Sequence, residues 1–138
     1  MATNPAQPSS VLDRLRDQHR PVIVFGPSAD DPRVVRQGHA WVGPLPEAGI
    51  KDRDIAVVNV HGEAGGDVAG KPIGAAEVAQ LRSAFGVEPG EFAVVLVGRD
   101  GGEKDRWAEP VSAQEIFGHV DAMPMRQREV EDRGGGSK

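Results

Sequence analysis

The sequence contains no cysteine among its 138 residues. This absence excludes disulfide bonds, thiolate metal sites and every reaction that needs a sulfur nucleophile. It also agrees with a protein of the reducing cytoplasm, where disulfides are rare. We therefore expect neither thiol-dependent peroxidase activity nor thiol oxidoreductase activity.

Long apolar runs and basic stripes are absent as well. No apolar run approaches the roughly 20 residues that span a bilayer, and the first ten residues lack the basic and apolar parts of a signal peptide. Acidic residues outnumber basic ones by 21 to 16, and the basic residues are scattered along the chain. No stripe is therefore available to neutralise nucleic-acid phosphates. These features predict a soluble, cytoplasmic protein that binds neither membranes nor nucleic acid.

The length of the chain suits one domain with one hydrophobic core. We predict this domain at residues 11–125, between a flexible tail at residues 1–10 and a charged, Gly-rich tail at residues 126–138. Val130 is the single apolar anchor of the second tail. Deleting residues 126–138 is therefore expected to leave the thermal midpoint nearly unchanged.

Four segments predict a four-stranded mixed sheet and hence the α/β class. Val22–Phe25 and Phe92–Val97 are apolar without alternation, which is typical of central strands covered on both faces. Ile55–Val60 is β-branched, and its connection to the first strand through a helix indicates a parallel pair. Glu103–Trp107 is polar and typical of a sheet edge. The Gly-rich segment His61–Gly74 is predicted to be a long flexible loop.

Helices are predicted on both sides of these strands, from their apolar spacing and their end signals. The first helix is Val11–His19, which follows a Ser10 cap, and the second carries the apolar stripe Val34, Gly38, Trp41 and Val42 and ends before Gly43-Pro44. The third has the apolar face Val78, Leu81 and Phe85 and ends before Gly86. The fourth has the apolar face Ile116, Phe117 and Val120 and follows a capping box that begins at Ser112.

The junction that follows the first strand resembles a known signature. Phe25-x-Pro27-x-x-x-Asp31-x-x-Val34 is similar to the peroxiredoxin pattern Phe-x-Pro-x-x-x-Thr-x-x-Cys, with Val34 in the position of the peroxidatic cysteine. With the Asp-Gly-Gly turn at 100–102 and the segment 121–126, the chain is identified as a cysteine-less member of a bacterial domain-of-unknown-function family. That family is peroxiredoxin-like in fold and related to modules of extracellular sushi-repeat-containing proteins, and its members usually carry a signal sequence.

This resemblance implies a thioredoxin-like βαβ-α-ββα fold in which the four strands lie in the order four-three-one-two. It also excludes peroxide reduction for this chain, because Val34 cannot supply a thiolate.

In such a sheet, the C-terminal ends of strands one, two and four meet the start of strand three at one edge, which we call the rim. Ligands of open α/β sheets prefer this edge. The rim is predicted to gather Ser28, Asp30, Asp31, Arg33, His61, Glu91 and Arg106 as ligand-binding candidates. Among them, Asp31, His61 and Arg106 are the candidates for general acid and base catalysis.

Simpler roles compete with these assignments. Asp30 and Asp31 precede a helix and can cap its free N–H groups, Arg33 can pair with Asp30, and Arg106 can decorate an edge strand. The four histidines show no metal-ligand spacing, and the Gly-rich segment lacks the spacing of a phosphate loop. We therefore predict no metal and no cofactor.

These observations lead to the hypothesis of a non-redox, thioredoxin-like binding or interaction module. Its ligand surface would be the rim, and its partner a protein or a small polar ligand of unknown identity. Two alternatives stay open at this point: a non-thiol enzyme that uses the Asp/His/Arg cluster, and an interaction protein that works through its C-terminal segment.

Overall fold

The computed structural model describes residues 10–63, 65–123 and 126–130. Within these residues the helices are α1 Ser10–Leu15, α2 Pro32–Ala40, α3 Pro44–Asp52, α4 Ala75–Phe85 and α5 Ala113–Asp121. The strands are β1 Arg20–Gly26, β2 Ile55–His61, β3 Gly65–Val68, β4 Lys71–Pro72, β5 Ala93–Val97 and β6 Glu103–Trp107. Residues 1–9 of the predicted N-terminal tail and residues 131–138 of the predicted C-terminal tail lie outside the described part of the chain.

The strands form one mixed sheet in the order β4-β3-β2-β1-β5-β6. β1 is parallel to β2 and antiparallel to β5, and both β1 and β5 are buried along their whole length. This confirms the prediction that the two apolar strands are adjacent and central. β6 lies at one edge of the sheet, as its polar sequence predicts.

The sheet has six strands in the described residues, so the prediction of four is wrong. The Gly-rich segment supplies β3 and β4 instead of a long loop. These two strands join at Ala69 and Gly70, which both have positive φ angles, as the tightest hairpin turns require. Gly66 lies so close to the carbonyl of Asn59 that a side chain would not fit. The residues that permit this hairpin are small and form no alternating apolar pattern, so the sequence does not predict strands here.

Helices cover both faces of the sheet, and each face has its own core. On one face, Ile23 and Phe25 of β1 pack with buried residues of α1 and α4. On the other face, Val22 and Val24 pack with buried residues of α2 and α5, with Ile50 of α3 packed against them. The period of two along β1 thus distributes its side chains to two helical layers, as an α/β sheet requires.

The helix that follows β1 differs in part from its prediction. Val34 is buried as expected, but the other core residue of α2 is Gln37, and Val42 is 67% exposed. The chain leaves α2 at Trp41 and starts α3, which the sequence analysis does not predict, at Pro44. Proline fits the first turn of a helix because its missing N–H would have no partner there.

The chain after Met125 also differs from its prediction. Residues 126–130 are helical, and we call them the C-terminal turn. Its first residue, Arg126, is only 3% exposed, whereas Val130, the expected anchor, is 47% exposed. A buried arginine rather than an apolar side chain therefore attaches this turn to the domain. Among the described residues, no helix has the length and apolar character needed to cross a membrane.

Candidate functional site at the rim of the sheet

Asp31 caps helix α2 at the rim. Its carboxylate accepts the N–H of Arg33 at 2.9 Å, and the same carboxylate takes two hydrogen bonds from the Arg33 guanidinium, at 3.1 and 3.2 Å. The hydrogen bond to the Arg33 side chain lowers the pKa of Asp31, and the same bond raises the pKa of Arg33. Asp31 is therefore an ionised cap with an arginine partner, which is the simpler of the two roles considered from the sequence.

The other acid of this junction does not cap the helix. Asp30 accepts a hydrogen bond from the Ser28 hydroxyl at 2.6 Å. The expected pair between Arg33 and Asp30 is absent from the described contacts, because Arg33 bonds Asp31 and lies 5.3 Å from the centre of the Phe92 ring. Ser28 and Asp30 thus form a small surface pair beside the cap.

His61 ends β2 next to Gly26, the last residue of β1. Its Nε2 is buried and has no hydrogen-bond partner among the described residues. The structure shows no hydrogen bond or ion pair from His61 to Asp31 or Arg106 in the described part of the chain. The histidine therefore lies at the predicted edge but is not joined to the two residues expected to act with it.

Glu91 and Arg106 are also held by neighbours. Glu91 accepts the N–H of Glu88 at 2.8 Å in the loop before β5. Arg106 donates twice to Glu103, at 2.9 Å each, and once to the carbonyl of Phe85 at 2.7 Å. The bond to Glu103 raises the pKa of Arg106, and the bond from Arg106 lowers that of Glu103.

The rim thus exists, but six of its seven predicted residues are divided among small local contacts, and the His61 side chain takes no part in them. Asp31 and Arg106 are each bound to an oppositely charged partner. A general base needs a carboxylate or imidazole that is free to take a proton from a substrate. The described geometry brings the residues to one edge without building an acid–base site from them.

Arg82 of α4 is the residue at this edge that the sequence analysis misses. It is 6% exposed and donates to four backbone carbonyls: Gly26 at 3.0 Å, Gly62 at 2.7 Å, Glu88 at 2.8 Å and Val87 at 3.3 Å. These carbonyls belong to the end of β1, the end of β2 and the loop before β5. One buried guanidinium therefore ties three rim segments together. Its position four residues after Val78, a predicted core residue of the same helix, is a weak signal that it points inward.

A cleft of about 570 Å³ opens beside this arginine. Glu63, Ser83, Glu88 and Pro89 are among the residues that line it, with Arg82. Burial lowers the pKa of Arg82, while the charges of Glu88, Glu63 and Glu91 act in the opposite direction. Three carboxylates therefore surround one cation whose donors are already bonded to the backbone.

Two further polar contacts escape sequence analysis. Gln37 is 1% exposed, and its amide exchanges two hydrogen bonds with the backbone of Val111, at 2.9 and 2.8 Å, which joins α2 to the start of α5. His119 of α5 lies 2.5 Å from Asp105 of β6 and edge-on to the Trp107 ring. In the described residues, no group of three or more His, Asp or Glu side chains is placed to hold a metal ion.

The opposite end of the sheet carries a second charged region, which we call the arginine network. Its members are Arg20, Arg53, Arg99 and Arg126 with Asp52, Asp54, Asp121 and Glu129. Arg20, the first residue of β1, is 1% exposed and donates to the Arg53 carbonyl and to Glu129 Oε2, at 2.9 Å each. Arg99, after β5, donates to the Asp17 carbonyl at 2.8 Å and pairs with Asp54.

The C-terminal turn is part of this network. Arg126 donates to the Asp52 carboxylate at 2.6 Å and to the Asp121 carboxylate at 3.4 Å. Burial acts to lower the pKa of Arg126, but the hydrogen bond and charge of Asp52 outweigh it and raise the pKa. Burial acts to raise the pKa of Glu129, but the hydrogen bond from Arg20 and the surrounding arginine charges lower it. The turn is therefore attached to β1 and α3 by charged groups.

Comparison with known proteins adds a family but no activity. The chain is 23% identical over 122 residues to Sushi repeat-containing protein SRPX2 of Xenopus laevis, and 28% identical over 127 residues to Sushi repeat-containing protein SRPX of Rattus norvegicus. These matches cover 86% and 88% of this chain but 26% of each relative, so the chain spans about a quarter of the length of the curated relatives it matches. No solved structure matches the chain significantly. The family model described as "Domain of unknown function (DUF4174)" matches residues 11–129, and the chain belongs to that family.

Proposed function

We propose that this chain is a non-redox binding module with a thioredoxin-like arrangement, and that it holds a cationic group of a protein partner in the cleft beside Arg82. The observation that carries the proposal is the cleft itself, about 570 Å³ in volume at the edge where open α/β sheets bind ligands. The match to about a quarter of longer, sushi repeat-containing proteins supports the idea of a module.

The charge of the cleft supports a cationic ligand. Glu63 and Glu88 line it, both are exposed, and Glu91 lies close enough for its charge to act on Arg82. Arg82 is directed to backbone carbonyls and is enclosed, so it presents little donor capacity to a ligand. A lysine or arginine side chain would thus meet more carboxylates than cations.

The thioredoxin-like part of the proposal rests on four strands. β6, β5, β1 and β2 follow one another in the predicted order, with β1 parallel to β2 and antiparallel to β5. Val34 in the first turn of α2 would occupy the peroxidatic position, and it is 7% exposed and packed against Gly26. We expect Val34→Cys to give a thiol that alkylates slowly, because burial raises a thiol pKa above about 8.5. A thiol that alkylates rapidly near neutral pH would instead favour a site prepared for anion chemistry.

A titration with a short arginine-containing peptide amide tests the binding site. We expect saturable binding that the double variant Glu63→Gln/Glu88→Gln weakens by about fivefold or more, the effect of losing exposed ion pairs. Glu47→Gln is the matched control, because Glu47 is an exposed acid of α3 that accepts the N–H of Gly43 outside this cleft. Equal affinities for the wild type and the double variant would refute the proposed site.

A non-thiol enzyme is the second candidate, and one observation favours it. The buried Nε2 of His61 has no partner in the described residues, and such a nitrogen can hold or transfer a proton. Against it, Asp31 and Arg106 are committed to Arg33 and Glu103. If the wild-type chain turns over a substrate and His61→Gln does not, while both chains have the same thermal midpoint, the enzyme is favoured over the binding module.

The bacterial origin and the cytoplasmic location expected from the sequence belong to the same proposal. The lack of cysteine supports the location, because it suits a reducing compartment. The bacterial origin rests on the family resemblance alone. Fractionation of the source cells, with detection of the chain in each fraction, tests the location.

A further inference from the structure

A second cleft, of about 270 Å³, opens at the end of the sheet that carries the arginine network. Its cationic lining residues are Arg20, Arg99, Lys104 and Arg128. They come from the start of β1, the turn after β5, the start of β6 and the C-terminal turn. Four separate segments thus direct basic side chains to one small cleft.

The carboxylates that pair with these basic residues are fewer than the basic residues themselves. Asp100 is the acidic residue of the lining, and it already accepts the N–H of Gly102 at 2.9 Å and pairs with Lys104 at 3.0 Å. Glu129 reaches Arg20 and Arg99 from the side of the network. Asp54 also pairs with Arg99. Among the described residues, four cations therefore meet three carboxylates, in a chain whose net charge is −5.

Donors in this cleft remain available to a ligand. Arg99 is paired with Glu129 and Asp54 and donates to the Asp17 carbonyl, so it contributes positive charge to the cleft rather than a free donor. Lys104 has one ion pair, with Asp100, for its three N–H donors. Arg128 is exposed and forms no hydrogen bond or ion pair with any described residue. A guanidinium offers its donors in a fork that matches carboxylate and phosphate oxygens.

The backbone between β5 and β6 leaves room for the long side chain of Lys104. Gly98 has no side chain, and a Cβ there would lie 2.5 Å from Cε of Lys104. Lys104 therefore lies across Gly98 as it reaches the cleft. Met123, at the other side, supplies an apolar wall.

We infer that this cleft binds a small organic anion, whose carboxylate or phosphate group is held by Lys104 and Arg128 beside the positive charge of Arg99, while its apolar part lies against Met123. The site is separate from the acidic cleft at the rim and does not depend on the function proposed there. Its volume suits a ligand of few atoms rather than a peptide or a nucleic acid.

Calorimetric titration of the full chain with inorganic phosphate and with succinate tests this inference. We expect saturable binding of at least one of the two anions. Arg128→Gln and Lys104→Gln should each weaken it by about fivefold, as expected for the loss of one exposed charge contact. Arg36→Gln is the matched control, because Arg36 is an exposed arginine of α2 outside the cleft, and it should bind as the wild type does.

The two anions distinguish the group that the site prefers. Tighter binding of phosphate assigns a phosphoryl ligand, and tighter binding of succinate assigns a carboxylate. No saturable binding of either anion, or affinities that are equal in the wild type and in both cleft variants, would overturn the inference. Thermal midpoints of all variants, measured in parallel, show that the chains compared are folded.

Discussion

At the rim, charged side chains pair with near neighbours in the sequence, whereas in the arginine network at the opposite end of the sheet most of them pair with residues of distant elements. Ser28 bonds Asp30 and Arg33 bonds Asp31, each two positions apart, and Arg106 bonds Glu103 three positions away. Arg20 instead bonds Glu129, 109 positions away, and Arg126 bonds Asp52, 74 positions away. Local pairs shape a loop or a cap, while distant pairs hold elements together.

This difference predicts where substitutions destabilise the protein. A pair formed within three residues is partly retained in a locally ordered unfolded chain, so its loss changes the free energy of unfolding little. A buried pair between distant elements exists in the folded state alone, and its loss leaves a buried charge or carbonyl unsatisfied. Arg82 lies at the rim but, like the arginines of the opposite end, it bonds distant residues, since its carbonyl partners include Gly26, 56 positions away.

Arg82→Met should therefore have the largest effect. It would remove the Arg82 donor from four carbonyls, of which those of Gly26 and Glu88 keep a backbone N–H at 2.9 and 3.0 Å. We expect a loss of about 3 kcal/mol or more in the free energy of unfolding, measured by urea denaturation. Arg36→Met, at an exposed position of α2, is the control and should change stability little. Equal stabilities of the two variants would show that Arg82 does not tie the rim segments together.

Deletion of residues 126–138 should have the next largest effect. The sequence predicts almost none, but the structure buries Arg126 against Asp52 and Asp121 and places Glu129 between Arg20 and Arg99. We expect the thermal midpoint to fall by more than about 5 °C, roughly 1 kcal/mol or more for a domain of this size. Gln127→Ala in the full chain changes an exposed residue of the same turn and should leave the midpoint unchanged. An unchanged midpoint of the deleted chain would restore the original prediction of a dispensable tail.

Glu129→Gln should have a smaller, pH-dependent effect. At neutral pH we expect a loss of about 1 kcal/mol in the free energy of unfolding. The reason is that the neutral side chain of the variant no longer forms ion pairs with Arg20 and Arg99, and the carboxylate it replaces is partly exposed. The pKa of Glu129 is lowered in the folded state from its ordinary 4.5, so its stabilising contribution is complete above that value and is lost as the pH falls through the folded pKa. Urea denaturation at several pH values should show the gap between wild type and variant closing below about pH 4.5. A gap that is the same at pH 3 and pH 7 would contradict this assignment.

Asp31→Asn should have the smallest effect of the series. Asparagine caps a helix about as well as aspartate, so the bond to the Arg33 N–H can persist while the charged pair with the Arg33 side chain is lost. We expect a smaller change of the thermal midpoint than for Glu129→Gln at neutral pH. A larger change would mean that the local pair, and not the distant one, is the stronger support.

The same contrast explains how much the sequence could predict. Val22–Phe25 and Phe92–Val97 signal central strands by their unbroken apolar character, and Asp31 and Ser112 signal helix starts by their position. These signals are local, and the structure confirms them. The hairpin of β3 and β4 escapes prediction because its glycines have no hydropathy pattern.

The candidate site was predicted less completely, for a related reason. The strand order brings the rim residues to one edge of the sheet, but the partner of each side chain decides whether it can contact a ligand. The sequence allows such a partner to be predicted only when it is close along the chain. Arg20, Arg82 and Arg126 look like surface arginines in the sequence, because arginine is seldom buried. Their burial follows from carbonyls and carboxylates that are distant along the chain and become neighbours on folding.

The most direct test of the two-ended account is one pair of NMR titrations on the ¹⁵N-labelled chain, with inorganic phosphate and with an arginine-containing peptide amide. The account predicts that phosphate shifts the amide signals of Gly98, Arg99 and Lys104 and leaves those of Glu63, Ser83 and Glu88 in place, and that the peptide does the reverse. Shifts of the same residues by both compounds, or of neither set by either, would contradict the assignment of opposite ligands to the two ends of the sheet.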